Sequence, residues 1–150
     1  MIVDASVILR AFFPDEAQEK AQALIRDHIS RRVALRAPSL LPYELSNAVW
    51  QAERRKRISR EQADQILQSM SGLEVEILPL EWSESLPLAR QFNCSVYDAS
   101  YLALAERLGE PFVTCDERLY NAVHTQLSWV NWLEDYTSMG KSSSRLGEAV

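Results

Sequence analysis

Four acidic residues have the types and positions needed for chemistry on a phosphate ester: Asp4, Glu44, Asp98 and Asp116. Asp4 and Asp116 directly follow short apolar runs, whereas Glu44 and Asp98 fall in the first turn of predicted helices. In a parallel α/β fold, strand ends and the starts of the following helices meet at one edge of the sheet. Carboxylates gathered there repel one another unless a cation lies among them, and a divalent metal is the usual partner. The pattern therefore predicts a small metal-dependent enzyme.

Each acid also has a simpler interpretation when it is taken alone. Asp4, Asp98 and Asp116 have the residue type that caps helix N-termini, and a first-turn Glu44 is favoured by the helix dipole. The joint pattern favours a site, because none of the four has a lysine or arginine directly beside it in the sequence. Four such acids at one sheet edge resemble the oxygen ligands of a hard cation.

Strand-like and helix-like segments alternate along the chain. Apolar runs predict strands at residues 2–3, 33–37, 73–77, 111–115 and 130–133. Helical periodicity predicts helices over residues 15–29, 41–57, 59–72, 83–93, 98–108 and 116–123, with Ile29, Trp82 and Leu86 on their buried sides. This alternation indicates an α/β fold with a mostly parallel sheet covered on both faces. We expect residues 1–137 to form one domain and residues 138–150 a flexible tail.

The composition is that of an ordinary globular protein. A chain of 150 residues with 47% hydrophobic and 25% charged residues suits one domain with its own core. No apolar run approaches the length of about 20 residues that crosses a bilayer, so we expect a cytoplasmic protein without a membrane contact. Cys94 and Cys115 lack metal-binding or disulfide-framework spacing, and we expect both to be small buried residues.

The net charge of −5 argues against nucleic-acid binding by bulk attraction but allows a local basic patch. The densest basic run contains Arg54, Arg55 and Arg57. It is either a helix C-terminus with favourable charge or a contact surface for an RNA backbone, and both interpretations stay open. Trp50 lies off the apolar stripe of the predicted helix 41–57. It either packs against the core or belongs to an apolar groove for a protein partner.

Four sequence blocks resemble the signature blocks of the PIN-domain family, and more closely those of VapC-type toxins from toxin–antitoxin pairs. They are MIVDAS (residues 1–6), PSLLPYE (38–44), YDASYLALA (97–105) and FVTCDERL (112–119). The similarity extends in order from about Met1 to Leu133. The resemblance implies a three-layer α/β/α sandwich around a parallel sheet of four or five strands. It also implies a Mg²⁺- or Mn²⁺-dependent endoribonuclease.

The resemblance also assigns roles to individual residues. The catalytic and metal-binding acids fall on Asp4, Glu44, Asp98 and Asp116, and Thr114 matches a supporting hydroxyl position, with Ser6 a weaker second candidate. Many relatives carry a further acid or Asn after the fourth block, where Glu117 and Asn121 lie here without a settled role. Arg10-Ala11 replaces the lysine–tryptophan pair often seen after the first block. The implied partners are an RNA substrate, a cognate antitoxin and a second copy of the chain.

Three rival interpretations remain beside the nuclease. A phospho-acceptor receiver domain needs a lysine after a late strand, a position that none of Lys20, Lys56 and Lys141 fills. An aspartate-nucleophile phosphatase needs Asp-Xaa-Asp, where this chain has Asp4-Ala-Ser6. The strongest rival is a catalytically silent PIN-like module that only binds RNA or a protein partner. Loss of cleavage in Asp98→Asn without loss of folding would separate that module from an enzyme.

Overall fold

Five short strands form one all-parallel sheet in the computed structural model, which describes residues 1–138. The strands are β1 (Ile2–Val3), β2 (Arg36–Pro38), β3 (Glu76–Leu78), β4 (Phe112–Thr114) and β5 (Val130–Trp132). Their order across the sheet is β3-β2-β1-β4-β5. The predicted parallel sheet is thereby confirmed.

Helices cover the sheet as the α/β alternation predicts. They are α1 (Ala5–Phe12), α2 (Glu19–Ile29), α3 (Leu41–Arg54), α4 (Arg60–Ser71), α5 (Leu86–Phe92), α6 (Val96–Leu108) and α7 (Glu117–Val123), followed by a 3₁₀ turn at Leu133–Asp135. The buried helix α6 packs against β1, β2 and β4, and α5 packs on α6. Helix α1 contacts β4 and also packs against α2, α3 and α4. The fold is the three-layer α/β/α sandwich.

Local sequence explains where these helices begin and end. Ser59 and Gln62 form a capping box at the start of α4, in which the Ser59 hydroxyl accepts from the Gln62 amide N–H. Ser95 caps α6 by accepting from the Asp98 amide N–H. Gly109 ends α6 with φ of 63°, a left-handed conformation that glycine adopts without steric cost. The capping box was predicted from the sequence and is confirmed.

The core lies between the central strands and α6. Ile2, Val3, Phe112 and Val113 are buried on the two neighbouring strands β1 and β4. Tyr101 of α6 stacks on Phe112 with ring centroids 5.9 Å apart. Because these strands are buried on both faces, their sequences are continuous apolar runs rather than alternating ones. The packing of β1, β4 and α6 therefore positions Asp4 and Asp116, which follow the two strands, and Asp98, which lies in the first turn of α6.

Several sequence predictions of element boundaries and burial are wrong. Helix α1 was not predicted, and α2 begins at Glu19 rather than at residue 15. Trp82, expected to be buried, is 99% exposed because α5 begins only at Leu86, which is itself 42% exposed. Ile29, at the last residue of α2, is 65% exposed. Trp50 is half exposed and lies outside the core.

His28 contacts the segments just before β2 and β3, both of which begin later than predicted. Its Nδ1 accepts from the Leu35 amide N–H at 3.1 Å, so its Nε2 carries the proton and donates to the Leu73 carbonyl at 2.7 Å. This side chain therefore binds backbone groups of two segments that the apolar pattern had assigned to strands. The segments then join the sheet at Arg36 and Glu76.

The predicted tail, residues 138–150, lies outside the described residues except for Ser138. The Ser138 hydroxyl donates to the buried Asp27 carboxylate at 2.9 Å, and the Tyr136 hydroxyl donates to the same carboxylate at 2.5 Å. In residues 1–138, Cys94 and Cys115 are free thiols, half-buried and buried respectively. No helix within these residues has both the length and the apolar character needed to span a bilayer.

Candidate active site

The strand order brings the ends of β1 and β4 side by side. From β1 the chain builds the sheet outward through β2 and β3, then returns to the other side of β1 to add β4 and β5. In open α/β sheets, ligands bind outside the carboxyl ends of the strands where the strand order reverses in this way. Asp4 follows β1 directly, and Asp116 follows β4 after one residue. These two predicted acids therefore lie at the expected position for a site.

Asp4 is the buried centre of this edge. Its Oδ1 accepts from the Ser6 hydroxyl at 2.5 Å and from the Val7 amide N–H at 3.4 Å, and its Oδ2 accepts from the Thr114 hydroxyl at 2.5 Å. Only 6% of Asp4 is exposed, and Thr114 is fully buried. Asp4 is also the N-cap of α1, so the same side chain caps a helix and lies in the candidate site.

Thr114 and Ser6 connect Asp4 to the segment after β4. The Thr114 hydroxyl accepts from the Asp116 amide N–H at 3.0 Å, and the Ser6 hydroxyl accepts from the Cys115 amide N–H at 3.2 Å. Since these hydroxyls receive backbone donors, their own protons point to the Asp4 carboxylate. Both residues that the resemblance suggested as supports therefore contact Asp4, and they fix its orientation.

The other two aspartates stand at helix starts. Asp116 caps α7, where its Oδ1 accepts from the Leu119 amide N–H at 3.2 Å. Asp98 lies in the first turn of α6, whose cap is Ser95. Asp98 is therefore not the N-cap, so its side chain is not needed to cap the start of the helix. The simplest structural explanation for Asp98 thus fails, whereas the one for Asp116 remains valid.

Glu44 is held by a tyrosine that the sequence interpretation did not assign to the site. The Tyr101 hydroxyl donates to Glu44 Oε1 at 2.6 Å, from the buried face of α6 to the first turn of α3. Tyr101 lies one helical turn after Asp98, which is the only sequence feature that would have pointed to it. The contact links the Glu44 helix to the Asp98 helix.

Electrostatics connect all four acids. The pKa of Asp4 is raised to about 7, chiefly by burial and also by the Asp116 charge, against the lowering effect of hydrogen bonds from Ser6, Thr114 and Val7. Burial, together with the Asp116 charge, also raises the pKa of Asp98. Burial raises the pKa of Glu44 as well, with a further increase from the Asp98 charge. Asp4, Asp98 and Glu44 thus each sense the negative charge of another of these acids, which places the four in one region.

The acids fit a hard cation by their chemistry. Within residues 1–138 none of them forms an ion pair with a lysine or arginine, although the Arg118 charge lowers the pKa of Asp98. In this part of the chain, no three Asp, Glu, His or Cys side chains are close enough together to enclose an ion as direct ligands. Mg²⁺ usually takes one or two protein carboxylates and keeps several waters, so a spaced set of carboxylates suits it.

The predicted RNA-binding arginines separate in the structure. The Arg54 guanidinium lies 5.7 Å from the centroid of the Trp50 ring. It lines neither the cavity that contains Arg55 and Arg57 nor the cavity that contains Glu117 and Asn121. Arg55 and Arg57 line a cavity that reaches Ser6 and Cys115. The basic run is therefore not one uniform surface.

The two residues without a settled role line a different cavity from Arg55 and Arg57. Glu117 and Asn121 line an open cavity of about 290 Å³ with Tyr120, Trp132 and Asp135. Tyr120 stacks on His124 at 4.4 Å and tilts against Trp132 at 5.2 Å. The structure assigns neither residue a hydrogen bond to the four acids among residues 1–138.

Comparison with known proteins identifies the family. Residues 1–124 match the PIN domain. Ribonuclease VapC3 of Pyrobaculum aerophilum is 30% identical over 123 residues, which cover 79% of this chain and 91% of that protein. VapC ribonuclease Mb0985 of Mycobacterium bovis is 30% identical over 126 residues, covering 84% and 93%. The crystal structure of PAE2754 from Pyrobaculum aerophilum matches with a TM-score of 0.67 at 27% identity, covering 89% of this chain and 83% of that one. The resemblance drawn from the four sequence blocks is thereby confirmed, and the chain belongs to the PIN-domain family, among relatives named VapC ribonucleases.

Proposed function

We propose that this chain is a Mg²⁺- or Mn²⁺-dependent endoribonuclease and the toxin of a type II, VapBC-like toxin–antitoxin pair. The names of its relatives support the ribonuclease class and the toxin role. The observation that carries the proposal is the Asp4 network, because a buried carboxylate there accepts two hydroxyl donors beside three further acids that lack an ion-pair partner within residues 1–138. Such a toxin acts on cytoplasmic RNA.

In this proposal Asp4, Asp98, Asp116 and Glu44 hold the divalent ion, partly through water. A bound ion would neutralise charge on the phosphodiester and lower the pKa of water beside it. Ser6 and Thr114 keep the Asp4 carboxylate in one orientation through their hydroxyl hydrogen bonds. Glu44 would complete the shell of the ion or orient an attacking water through Oε2, since the Tyr101 hydroxyl occupies its Oε1.

We propose one surface for each of the two protein partners. An apolar cleft of about 390 Å³ between α3, α4 and β3, which includes Leu41, Leu45 and Met70, would take an apolar segment of the antitoxin. Exposed apolar side chains on α5 and at the start of α6 would form the homodimer face: Leu86, Val96 and Tyr97.

The direct test is cleavage of labelled single-stranded and stem-loop RNA by the purified chain, freed of antitoxin. We expect cutting with Mg²⁺ or Mn²⁺ and none with EDTA, because the acids alone cannot neutralise the phosphate charge. Asp98→Asn should remove the cutting while leaving the circular dichroism spectrum and melting temperature close to those of the wild type. Folded, metal-loaded protein that cuts none of these RNAs would instead favour the silent binding module.

Tyr101→Phe tests the proposed positioning of Glu44. Removing the hydroxyl leaves Glu44 Oε1 without its donor but preserves the stacked ring on Phe112. We expect cleavage to fall roughly tenfold in kcat, as for loss of an outer-shell partner, with KM for RNA little changed. Steady-state kinetics measure the split, and Tyr43→Phe, at an exposed position on α3, is the matched control. A change in KM alone would contradict a positioning role.

A further inference from the structure

The cavity that Arg55 and Arg57 line lies beside the Asp4 network. It has a volume of about 320 Å³, and its wall on the side of the acids includes Ser6 and Cys115. Ser6 is the residue whose hydroxyl donates to Asp4 and accepts from the Cys115 amide N–H. Ser6 is therefore common to the wall of the cavity and to the Asp4 network, which makes the cavity a neighbour of the candidate active site.

The charge of this cavity is opposite to that of the active site. Three arginines line it, Arg10, Arg55 and Arg57, together with a single acid, Glu16. The whole chain carries a net charge of −5, so this concentration of positive charge is a local feature. An RNA strand must bring several phosphates close to four carboxylates, which repel every phosphate that a metal ion does not neutralise. A positive subsite next to the acids would offset that repulsion.

The three arginines differ in how strongly the protein already holds them. Arg57 binds Asp15 through Nε at 3.1 Å and Nη2 at 2.8 Å, and its guanidinium lies 5.0 Å above the Phe13 ring. Arg10 makes one long contact to Glu134 at 3.5 Å. Arg55 makes no ion pair within residues 1–138. Arg57 therefore has a structural role in the wall of the cavity. Arg55 and Arg10 have N–H donors that are available to a ligand.

We propose that this cavity is a backbone subsite of the nuclease, in which Arg55 and Arg10 hold an RNA phosphate next to the scissile one. The proposal rests on the proposed ribonuclease function and adds the part of the substrate that is held beside the metal-binding acids. Guanidinium groups suit this role, because their planar fork of donors matches two phosphate oxygens. The subsite would recognise the charge of the RNA backbone and not its base sequence, since the phosphates are the same at every nucleotide.

Binding measurements test the subsite without depending on cleavage. Fluorescence anisotropy would follow a labelled oligo-U and a labelled oligo-A of about 12 nucleotides on an Asp98→Asn background, at fixed Mg²⁺ and roughly 50–200 mM salt. We expect Arg55→Gln and Arg10→Gln each to weaken binding of both oligomers by roughly five- to tenfold. Each variant should also lower the slope of log K against log salt by about 0.7, the value for one single-strand phosphate contact.

Two control variants separate the loss of a specific phosphate contact from the loss of positive charge in general. Arg54→Gln removes the same charge one residue away, where the side chain lies over Trp50, and we expect it to change binding by less than about twofold. Arg90→Gln, exposed on α5, controls for overall charge. Equal losses in Arg54→Gln and Arg55→Gln would overturn the subsite in favour of a diffuse basic surface. Unchanged slopes in Arg55→Gln and Arg10→Gln would also overturn it and leave the cavity to an acidic protein segment.

The result is separable from the ribonuclease proposal. If the wild type fails to cut RNA but Arg55→Gln still weakens RNA binding, the ribonuclease activity fails and the phosphate contact stands. If the wild type cuts RNA and the salt slope of Arg55→Gln is unchanged, the activity stands and the subsite fails.

Discussion

Asp4→Asn is expected to reduce metal-dependent RNA cleavage by at least about 10²-fold, because loss of outer-shell partners alone already costs 10- to 100-fold at metal sites. The substitution keeps the size of the side chain but removes the negative charge at the buried centre of the site. Asp4 is the acid with the closest hydroxyl support, from Ser6 and Thr114. The measurement is the single-turnover cleavage rate at saturating Mg²⁺ and Mn²⁺.

The variant should fold, because its amide can rejoin the hydroxyl network. The new N–H₂ group can donate to the Thr114 hydroxyl, which in turn can donate to Ser6 across the 3.5 Å that separates the two oxygens. Ser6 would then still donate to the remaining carbonyl oxygen at position 4, as it now donates to Oδ1. A melting temperature equal to or above that of the wild type, measured without divalent ions, would show this.

Asp64→Asn is the matched control, since Asp64 is an exposed acid on α4 outside the site. We expect its cleavage rate to equal that of the wild type. Near-normal cleavage by Asp4→Asn would contradict the assignment of Asp4 as a metal-binding acid. Equal losses in both variants would point to a general effect of charge on RNA binding.

The position of the acids was predictable from the sequence because it depends on local features. Apolar runs end at Asp4 and near Asp116, and parallel strands place such ends at one edge of the sheet. The strand order was not predictable in the same way, because it is decided by which strands pair across the fold. That order makes β1 and β4 neighbours and so brings Thr114 to Asp4.

The features that sequence reasoning missed depend on long-range contacts. The bond between Tyr101 and Glu44 joins residues on two helices that are far apart in the chain. The separation of Arg54 from Arg55 depends on where α3 ends and on the packing of Trp50 beside it. Trp82 was placed in the core by periodicity, but the helix starts after it and leaves the ring in solvent. Ser85 precedes α5 but makes no side-chain capping hydrogen bond, and periodicity alone does not show where a helix begins.

The stability of the wild type relative to Asp4→Asn is expected to fall as pH rises from about 4 to about 7. The pKa of Asp4 rises from 3.8 to about 7 on folding, chiefly through burial, so the folded protein holds a proton that the unfolded chain has released. Stability from this proton is fully present below pH 3.8 and is lost as pH rises through about 7. At about 1.4 kcal/mol per pKa unit, the difference between the two proteins should change by roughly 4 kcal/mol.

Urea unfolding of both proteins at a series of pH values, with EDTA present, measures this difference. The raised pKa values of Glu44 and Asp98 act in the same direction but are present in both proteins, so the comparison isolates Asp4. Adding Mg²⁺ at pH 8 should then stabilise the wild type more than the variant, because an ion that binds only the folded state offsets the cost of the buried charge. At pH 4 the ion should have little effect, since Asp4 is protonated there. Parallel stability curves for the two proteins would show that the folded environment does not penalise the Asp4 charge, and the case for a cation at this position would lose its electrostatic basis.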